Sequence, residues 1–293
     1  MNLFENKTAL VTGASSGIGL ALAHELSERG AHVILTARSG DKIEAEAEQM
    51  RSLGRNAKAF KADLSLPGSA ANLYAEIAGS QLHVDLLINN AGYGRWGEFC
   101  EFDSEDYAQM IQLNITSLTD LCRLAIPDMV TRGEGGVINI GSTASFLPVP
   151  FASVYSASKA YVLLFSEAIR YEYESKGIRV MTLCPGATAT DFSRVASEKS
   201  SAELHELNRQ LAESGKAGMT SEAVAVEGLD AFVEGEVYKI TGKENRKFAL
   251  LPRLLPRARV LKMVGDTFRN SSLIQNSIKN AMSDGYGTVA VKN

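Results

Sequence analysis

Two hydrophobic periods alternate along most of the chain. Short apolar runs of strand length lie at residues 9–12, 32–37, 57–62, 84–88, 137–140 and 178–183, with a seventh at 237–240. Apolar runs of four to eight residues bounded by turn residues suit buried strands. Between them, apolar residues recur at helical spacing, as in Leu20, Ala23 and Leu26, then Ile43, Ala47 and Met50, then Leu73 and Ile77. The interleaved Glu44, Glu46 and Glu48 mark a solvated helix face over 40–53. Residues 104–132 read as one long helix or two, with Ile111, Leu118, Leu121 and Ile126 on the buried side and Pro127 as the place for a bend. Further helices are expected over 154–176 and 221–233. Strands alternating with helices imply right-handed βαβ units and a parallel sheet. The expected fold is α/β, a single doubly wound parallel sheet of about seven strands with helices on both faces and a C-terminal helical extension.

Composition changes this picture little, but it removes several function classes. The chain has 293 residues, 45% hydrophobic and 22% charged, which suits an ordinary globular protein with a sizeable core. A net charge of −4 argues against nucleic acid as partner, because duplex binding wants a basic face. His24, His32, His83 and His205 are scattered without metal-ligand spacing, so no metal is expected. Cys100, Cys122 and Cys184 are too few and too dispersed for a disulfide framework. The first residues lack the basic and apolar regions of a signal peptide, and no run approaches the ~18 apolar residues of a membrane span. A reducing, cytoplasmic setting is expected.

The candidate chemistry sits where strands end. The first strand runs into Thr12-Gly13-Ala14-Ser15-Ser16-Gly17-Ile18-Gly19 and then a helix. In that context glycines let the backbone approach a pyrophosphate, and the helix N-terminus offers unpaired N–H groups to it, as in Rossmann-type folds. At the end of the second strand, where an acidic residue would accept from a ribose 2′-OH, the chain reads Thr36-Ala37-Arg38-Ser39. Arg38 favours a 2′-phosphate, so NADP(H) is the preferred cofactor, with NAD(H) also admitted. Asn89-Asn90-Ala91-Gly92, Gly141-Ser142-Thr143 and Cys184-Pro185-Gly186 follow the fourth, fifth and sixth strands, at the sheet edge where open α/β folds bind ligands. Tyr155 and Lys159 lie four residues apart in a helical segment and so share one face. A cation that close is expected to lower the phenol's pKa from ~10, making a proton donor and acceptor near neutral pH.

Taken together over about residues 6–240, these motifs, their order and their spacing resemble the classical short-chain dehydrogenase/reductases. The resemblance implies four catalytic residues. Tyr155 would exchange a proton with the substrate oxygen, and Ser142 would hydrogen-bond that oxygen. Lys159 would bind the nicotinamide ribose and tune Tyr155, while Asn114 would hold a water that continues the relay. It further implies a cofactor cradle of Gly13, Ser15, Ser16, Gly17, Ile18 and Gly19, with Asp63 and Leu64 beside the adenine. Asn90, Ala91 and Gly92 would border the adjacent ribose, and Pro185, Gly186, Thr188 and Thr190 the nicotinamide end, next to Tyr155 and Lys159. The basic residue that some members carry just before the second glycine is replaced by Ser16.

The implied activity is hydride transfer between NADP(H) and a carbonyl or secondary alcohol. Substrate-facing candidates are Tyr93, Arg95, Trp96, Phe146, Leu147, Val149, Phe151, Phe192 and Val195, a mainly apolar set that suits a hydrophobic small molecule. A loop over about 188–219 would form a lid within a catalytic domain spanning 1–242. The alternatives are a 3-oxoacyl thioester reductase and a non-catalytic dinucleotide-sensing regulator. Family members pair through two long central helices, so a homodimer or homotetramer is expected.

Residues 243–293 form an extension rich in Lys243, Arg246, Lys247, Arg253, Arg257, Arg259 and Lys262, with a short apolar stripe of Val260, Leu261, Val264 and Phe268. A basic amphipathic segment can make peripheral contact with an anionic membrane surface. A solvated helix packed on the domain, or a subunit contact, is the favoured expectation. Residues 283–287 are expected to be a flexible tail.

Overall fold

Seven strands, β1 (Thr8–Thr12), β2 (His32–Ala37), β3 (Ala57–Lys61), β4 (Leu86–Asn89), β5 (Gly135–Ile140), β6 (Ile178–Cys184) and β7 (Tyr238–Ile240), form one sheet. Its order is β3-β2-β1-β4-β5-β6-β7, and every pair is parallel. The computed structural model describes residues 2–188, 190, 192, 196 and 218–269. Val195, most of the expected lid over 188–219 and the expected tail at 283–287 lie outside the described residues.

Each expected strand is present, with ends shifted by a residue or two. The agreement has a simple cause. Adjacent positions on β1 bury Leu10 against one face and Val11 against the other, so the strand is apolar throughout, as a sheet covered on both sides requires. Helices α1 (Gly17–Glu28), α2 (Gly40–Ser52) and α7 (Ser221–Glu234) bring Leu22, Leu26, Ile43, Met50, Leu229 and Phe232 to the Val11 face. Helices α3 (Ser69–Gly79), α5 (Leu118–Arg132) and α6 (Ser153–Tyr173) bring Leu73, Ile77, Leu121, Ile126, Val162 and Ile169 to the Leu10 face.

The sheet centre carries a polar ladder inside this apolar core. Asn89 on β4 and Asn139 on β5 are register partners, and the Asn89 amide donates to Asn139 Oδ1 at 2.9 Å. Asn139 in turn donates to Ser166 Oγ on α6 at 2.9 Å. Buried polar groups demand partners, and a slip of one residue would orphan both amides, so the ladder fixes register where apolar packing alone would tolerate error.

The long central helix is interrupted, though not where proline suggests. Helix α4 (Ser104–Ile111) passes through a π-helical turn over Gln112–Ser117 into α5. Pro127 is accommodated within α5, whereas the irregularity falls on Asn114, whose side chain is held by two distant segments. A π turn inserts one extra residue and re-aims the side chains it carries, and such bulges are frequent at functional sites.

After β7 the chain forms α8 (Lys243–Leu254) and α9 (Arg257–Arg269). Both helices pack on the sheet domain. Ala249 joins a cluster with Leu163, Cys184 and Ile240, and Val260 and Val264 join one that includes Tyr155. Among the described side chains of the expected stripe, Val260 and Val264 turn inward. Leu261 is 45% exposed, and the Phe268 side chain lies outside the described residues.

Gly136 tests how tightly β5 is packed. A Cβ there would stand 2.6 Å from Phe232 Cζ and 2.9 Å from Leu86 Cδ1. Gly136→Ala is expected to destabilise the fold by roughly 1–3 kcal/mol through overpacking. Urea unfolding measures this, and an unchanged midpoint would show that Phe232 and Leu86 move aside freely.

Candidate active site

Tyr155 and Lys159 stand in the first two turns of α6, both turned inward, at 7% and 5% exposure. Small polar residues let the helix sit this close to the end of β5. Ser158 Oγ donates to the Tyr155 carbonyl at 2.7 Å, and Ser145 Oγ donates to the Lys159 carbonyl at 2.8 Å. Ser142, just past β5, caps the short 3-10 turn Thr143–Phe146 by accepting from the Ala144 N–H at 3.1 Å. Its hydroxyl also stands near enough to the Tyr155 phenol to favour the ionised form. Lys159 Nζ donates to the Ile140 carbonyl at 2.8 Å, at the last residue of β5.

Asn114 reaches this group from the π turn. Its Oδ1 accepts from the Tyr93 N–H at 3.1 Å, and its Nδ2 donates to the Tyr93 carbonyl at 2.9 Å and to Ser158 Oγ at 3.1 Å. Gly92 lies between, since a Cβ there would meet Asn114 Oδ1 at 3.0 Å and Lys159 Nζ at 3.4 Å. The four catalytic candidates, 45 residues apart at their extremes in sequence (114 to 159), therefore converge.

The electrostatics differ from the sequence expectation. Burial pushes the Tyr155 phenol up to about 12, opposed in part by the Ser142 hydroxyl. Burial also brings the Lys159 ammonium down to about 8. The net downward shift expected for Tyr155 is overtaken by burial in this arrangement. Desolvation of a fully enclosed phenolate outweighs the cation, whose N–H points to Ile140 and whose Nζ stands 5.9 Å from the phenol ring centroid. Raised to about 12, the Tyr155 phenol holds its proton at physiological pH. Cys184, at the end of β6, is also pushed up to about 12 by burial and stays a thiol.

The expected cofactor residues gather at the β1–β4 switch point. Gly13 and Gly17 have φ of 65° and 57°, the left-handed region that favours glycine. A Cβ on Gly19 would collide with the Gly13 carbonyl and the Asn90 amide. Asn90 braces the turn from behind, its Nδ2 donating to the Thr12 carbonyl at 2.9 Å and the Gly13 carbonyl at 3.3 Å. Thr12 Oγ1 accepts from the N–H groups of Asn90 at 3.0 Å and Ala91 at 2.9 Å. Ser16 opens α1 without a side-chain cap, leaving the first N–H groups of that helix to an anion. An uncapped helix start over a turn with no room for side chains fits a pyrophosphate. Ser15 and Ile18 are half-buried along the same turn.

The remaining candidates divide. Arg38 is exposed at the end of β2, and both it and Asp63 act electrostatically on the Tyr93 phenol. Asp63 Oδ1 accepts from the N–H and hydroxyl of Ser65 at 3.0 and 2.6 Å, and the Leu64 carbonyl accepts from Ser117 Oγ at 2.6 Å. The Pro185 carbonyl accepts from the Thr143 N–H at 2.9 Å, and Gly186 abuts the Asn245 amide of α8. Thr188 Oγ1 donates to the Gly186 carbonyl at 3.1 Å, and Thr190 overhangs the glycine turn, 3.1 Å from where a Gly17 Cβ would be. A cavity of about 560 Å³ between α1 and α7 borders Ser16, Gly17 and Thr190 but touches none of the four catalytic candidates.

Of the substrate candidates, Trp96 and Phe192 flank Tyr155 directly, with ring centroids at 6.2 and 5.5 Å. Leu147 and Val149 are buried in the same cluster, and Phe146 turns its ring towards Tyr238, 5.5 Å away. Tyr93 and Arg95 also make structural contacts. The Arg95 guanidinium lies 4.9 Å from the Tyr93 ring centroid and pairs with Asp106 at 3.2 Å, while the Tyr93 hydroxyl donates to the Asp106 carbonyl at 3.2 Å. Phe151 takes a left-handed φ of 65°, and its carbonyl accepts from the Gly97 N–H at 2.8 Å. Sequence reading missed Thr12, Ser145 and Ser158 as supporting residues. The signal available was the run of small polar residues next to Tyr155 and Lys159.

The family model for short chain dehydrogenase matches residues 7–201. Mouse very-long-chain 3-oxoacyl-CoA reductase is 34% identical over 64% of this chain and 61% of its own length, so the chain spans about three-fifths of that relative. The 3-oxoacyl-(acyl-carrier-protein) reductase of Escherichia coli is 33% identical over 82% of this chain and 97% of its own. Among solved structures, a short-chain dehydrogenase from Sphingobium yanoikuyae in complex with NADPH is 29% identical, covering 98% of this chain and 99% of that one, with a TM-score of 0.71.

The buried ammonium makes a stability prediction. Lys159 binds a proton more weakly folded (about 8) than at its ordinary 10.5, so below pH 8 the fold bears the full cost of enclosing the charge. Lys159→Met is expected to stabilise the protein at pH 7 by roughly 1–2 kcal/mol, net of the lost hydrogen bond to Ile140. The difference from wild type should shrink as pH rises from about 8 towards 10.5. Paired denaturant titrations at pH 7 and 9 measure it, and a destabilised variant with no pH trend would contradict the assigned charge state.

Proposed function

This chain belongs to the short-chain dehydrogenase family, and we propose that it is an NADP(H)-dependent oxidoreductase acting on the carbonyl or secondary alcohol of an apolar small molecule. The observation that carries the proposal is the meeting of the Tyr155 phenol, the Ser142 hydroxyl and the buried Lys159 ammonium within the sheet edge that holds the glycine turn. A nicotinamide cofactor bound along that edge supplies the hydride.

The protein's own part is proton transfer and charge stabilisation. Tyr155, kept neutral by burial, donates its phenolic proton to the substrate oxygen during reduction. Ser142 donates a hydrogen bond to the same oxygen, and a preorganised donor in a water-poor site is worth far more than one in solution. Lys159 keeps a positive charge beside the phenol, so the phenolate that reduction leaves behind is stabilised in a way the resting phenol is not. Asn114 and Lys159 both border Gly92, where a bridging water would return the proton to Tyr155. Arg38, exposed at the end of β2, is the candidate partner for a 2′-phosphate.

A second reading is a 3-oxoacyl thioester reductase, supported by the names of the mouse and Escherichia coli relatives. The setting we propose is cytoplasmic, with assembly as a homo-oligomer. Assembly through α6 is supported by Leu164, 66% exposed, and Tyr171, 87% exposed, on the outer face of that helix.

A screen of aliphatic and aromatic ketones, secondary alcohols and 3-oxoacyl thioesters against both coenzymes separates the readings. Tyr155→Phe is expected to keep NADPH affinity while turnover falls by at least about 10²-fold. Normal activity in that variant would sink the catalytic assignment, and tight NADPH binding with no turnover of any compound by wild type would favour a sensor. Arg38→Ala is expected to weaken NADPH by about tenfold or more and NADH little, through loss of a charge-assisted contact. Equal loss for both would discount the coenzyme preference.

A further inference from the structure

The extension after β7 joins the apolar cluster that contains Tyr155. Val260 and Val264 lie four residues apart on α9, on one helix face, and are 1% and 6% exposed. They share a single apolar cluster with Tyr155, Met110 of α4, and Leu147 and Val149 of the segment between β5 and α6. The aromatic contacts of Tyr155 come from Trp96 and Phe192. The phenol therefore sits in an apolar enclosure to which α9 contributes aliphatic side chains, although α9 lies outside the stretch matched by the family model.

Helix α9 is held firmly enough to act as a wall. Its first turn closes on the Pro256 carbonyl, which accepts from the N–H groups of Arg259 at 2.9 Å and Val260 at 3.2 Å. Gly265 abuts Pro150, since a Cβ there would be 3.4 Å from Pro150 Cγ, so α9 also braces the segment that leads into Tyr155. Helix α8 ties the pair to the sheet domain through Asn245 Nδ2 to the Thr241 carbonyl at 2.8 Å, Arg246 to Glu227 at 3.2 Å and Arg253 to the Tyr238 hydroxyl at 3.2 Å.

We infer that α9 forms the aliphatic wall of the substrate site and that Val260 and Val264 set how bulky an apolar ketone can be presented to Tyr155 and Ser142. The inference rests on the carbonyl-reductase reading and adds to it a size limit and the residues that impose it. A substituent on the carbonyl carbon that enters this cluster meets methyl groups alone from α9. Selectivity on this side therefore follows volume, and a change of one or two methyl groups in an apolar pocket shifts discrimination by about tenfold.

Trp96 provides a readout that does not need turnover. It is the one tryptophan in the chain and its ring centroid is 6.2 Å from that of Tyr155, so its emission reports a ligand entering the enclosure. Full-length wild type, Val264→Ala and Val264→Leu are titrated with cyclohexanone and with the bulkier 2-decalone in saturating NADP⁺, with a thermal melt of each to confirm folding. Val264→Ala is expected to raise the affinity ratio of 2-decalone to cyclohexanone by about tenfold, and Val264→Leu to lower it by a similar factor. A valine that merely anchors the extension would change the melts and leave the ratio alone. Ratios within about twofold of wild type in both folded variants would overturn the inference, as would a wild-type Trp96 signal that neither ketone perturbs. If Trp96 responds and the ratios shift while no carbonyl is reduced with NADPH, the wall stands and the activity reading fails.

Discussion

An ammonium enclosed at the edge of a parallel sheet is the constraint on which the rest of this structure depends. Moving an unpaired charge out of water costs several kcal/mol, and a partner recovers the cost only with good geometry. Lys159 finds that geometry in the Ile140 carbonyl, the last of β5, which is turned to it because the strand ends there. The recovery is incomplete, as the downward shift of its pKa shows. What remains is tension with a use, because it is relieved when negative charge develops on the neighbouring phenol.

Everything near Lys159 can be read as support for that placement. The serines of α6 and of the Thr143–Phe146 turn let helix and strand end approach within hydrogen-bond distance. The π turn swings Asn114 across to Ser158 and to the backbone of Tyr93, closing the site from the side of the central helix. Further along the same edge, Thr12 and Asn90 lock the glycine turn to the end of β4, so the candidate anion cradle and the Tyr155–Lys159 pair share one frame. Below them the ladder of Asn89, Asn139 and Ser166 holds β4, β5 and α6 in register. The geometry of the candidate site rests on strand and helix ends, where sites are held most precisely.

The basic character of the extension and its apolar contacts serve different sides of one helix. Arg257, Arg259 and Lys262 are exposed on α9, while Val260 and Val264 face the Tyr155 cluster. Helix periodicity makes this division possible, since residues four apart share a face and those one or two apart do not.

Much of the protein was legible in its residues because the relevant physics is local. A strand covered on both faces must be apolar at successive positions, so the runs around Leu10, Ile34, Leu87 and Ile138 announce the sheet. Glycine at 13, 17 and 19 announces a turn that side chains could not enter, and four-residue spacing places Tyr155 and Lys159 on one face. Other features depend on segments far apart in sequence, and only the tertiary structure decided them. Asn114 takes a π turn because Tyr93 and Ser158 hold it, 21 and 44 residues away. The sign of the Tyr155 shift followed from total burial, which no helical spacing encodes, and burial won over the nearby cation. Val260 and Val264 look like any short apolar stripe until α9 packs into the cluster of Tyr155. Periodicity is written in the chain, whereas desolvation depends on which surfaces finally meet.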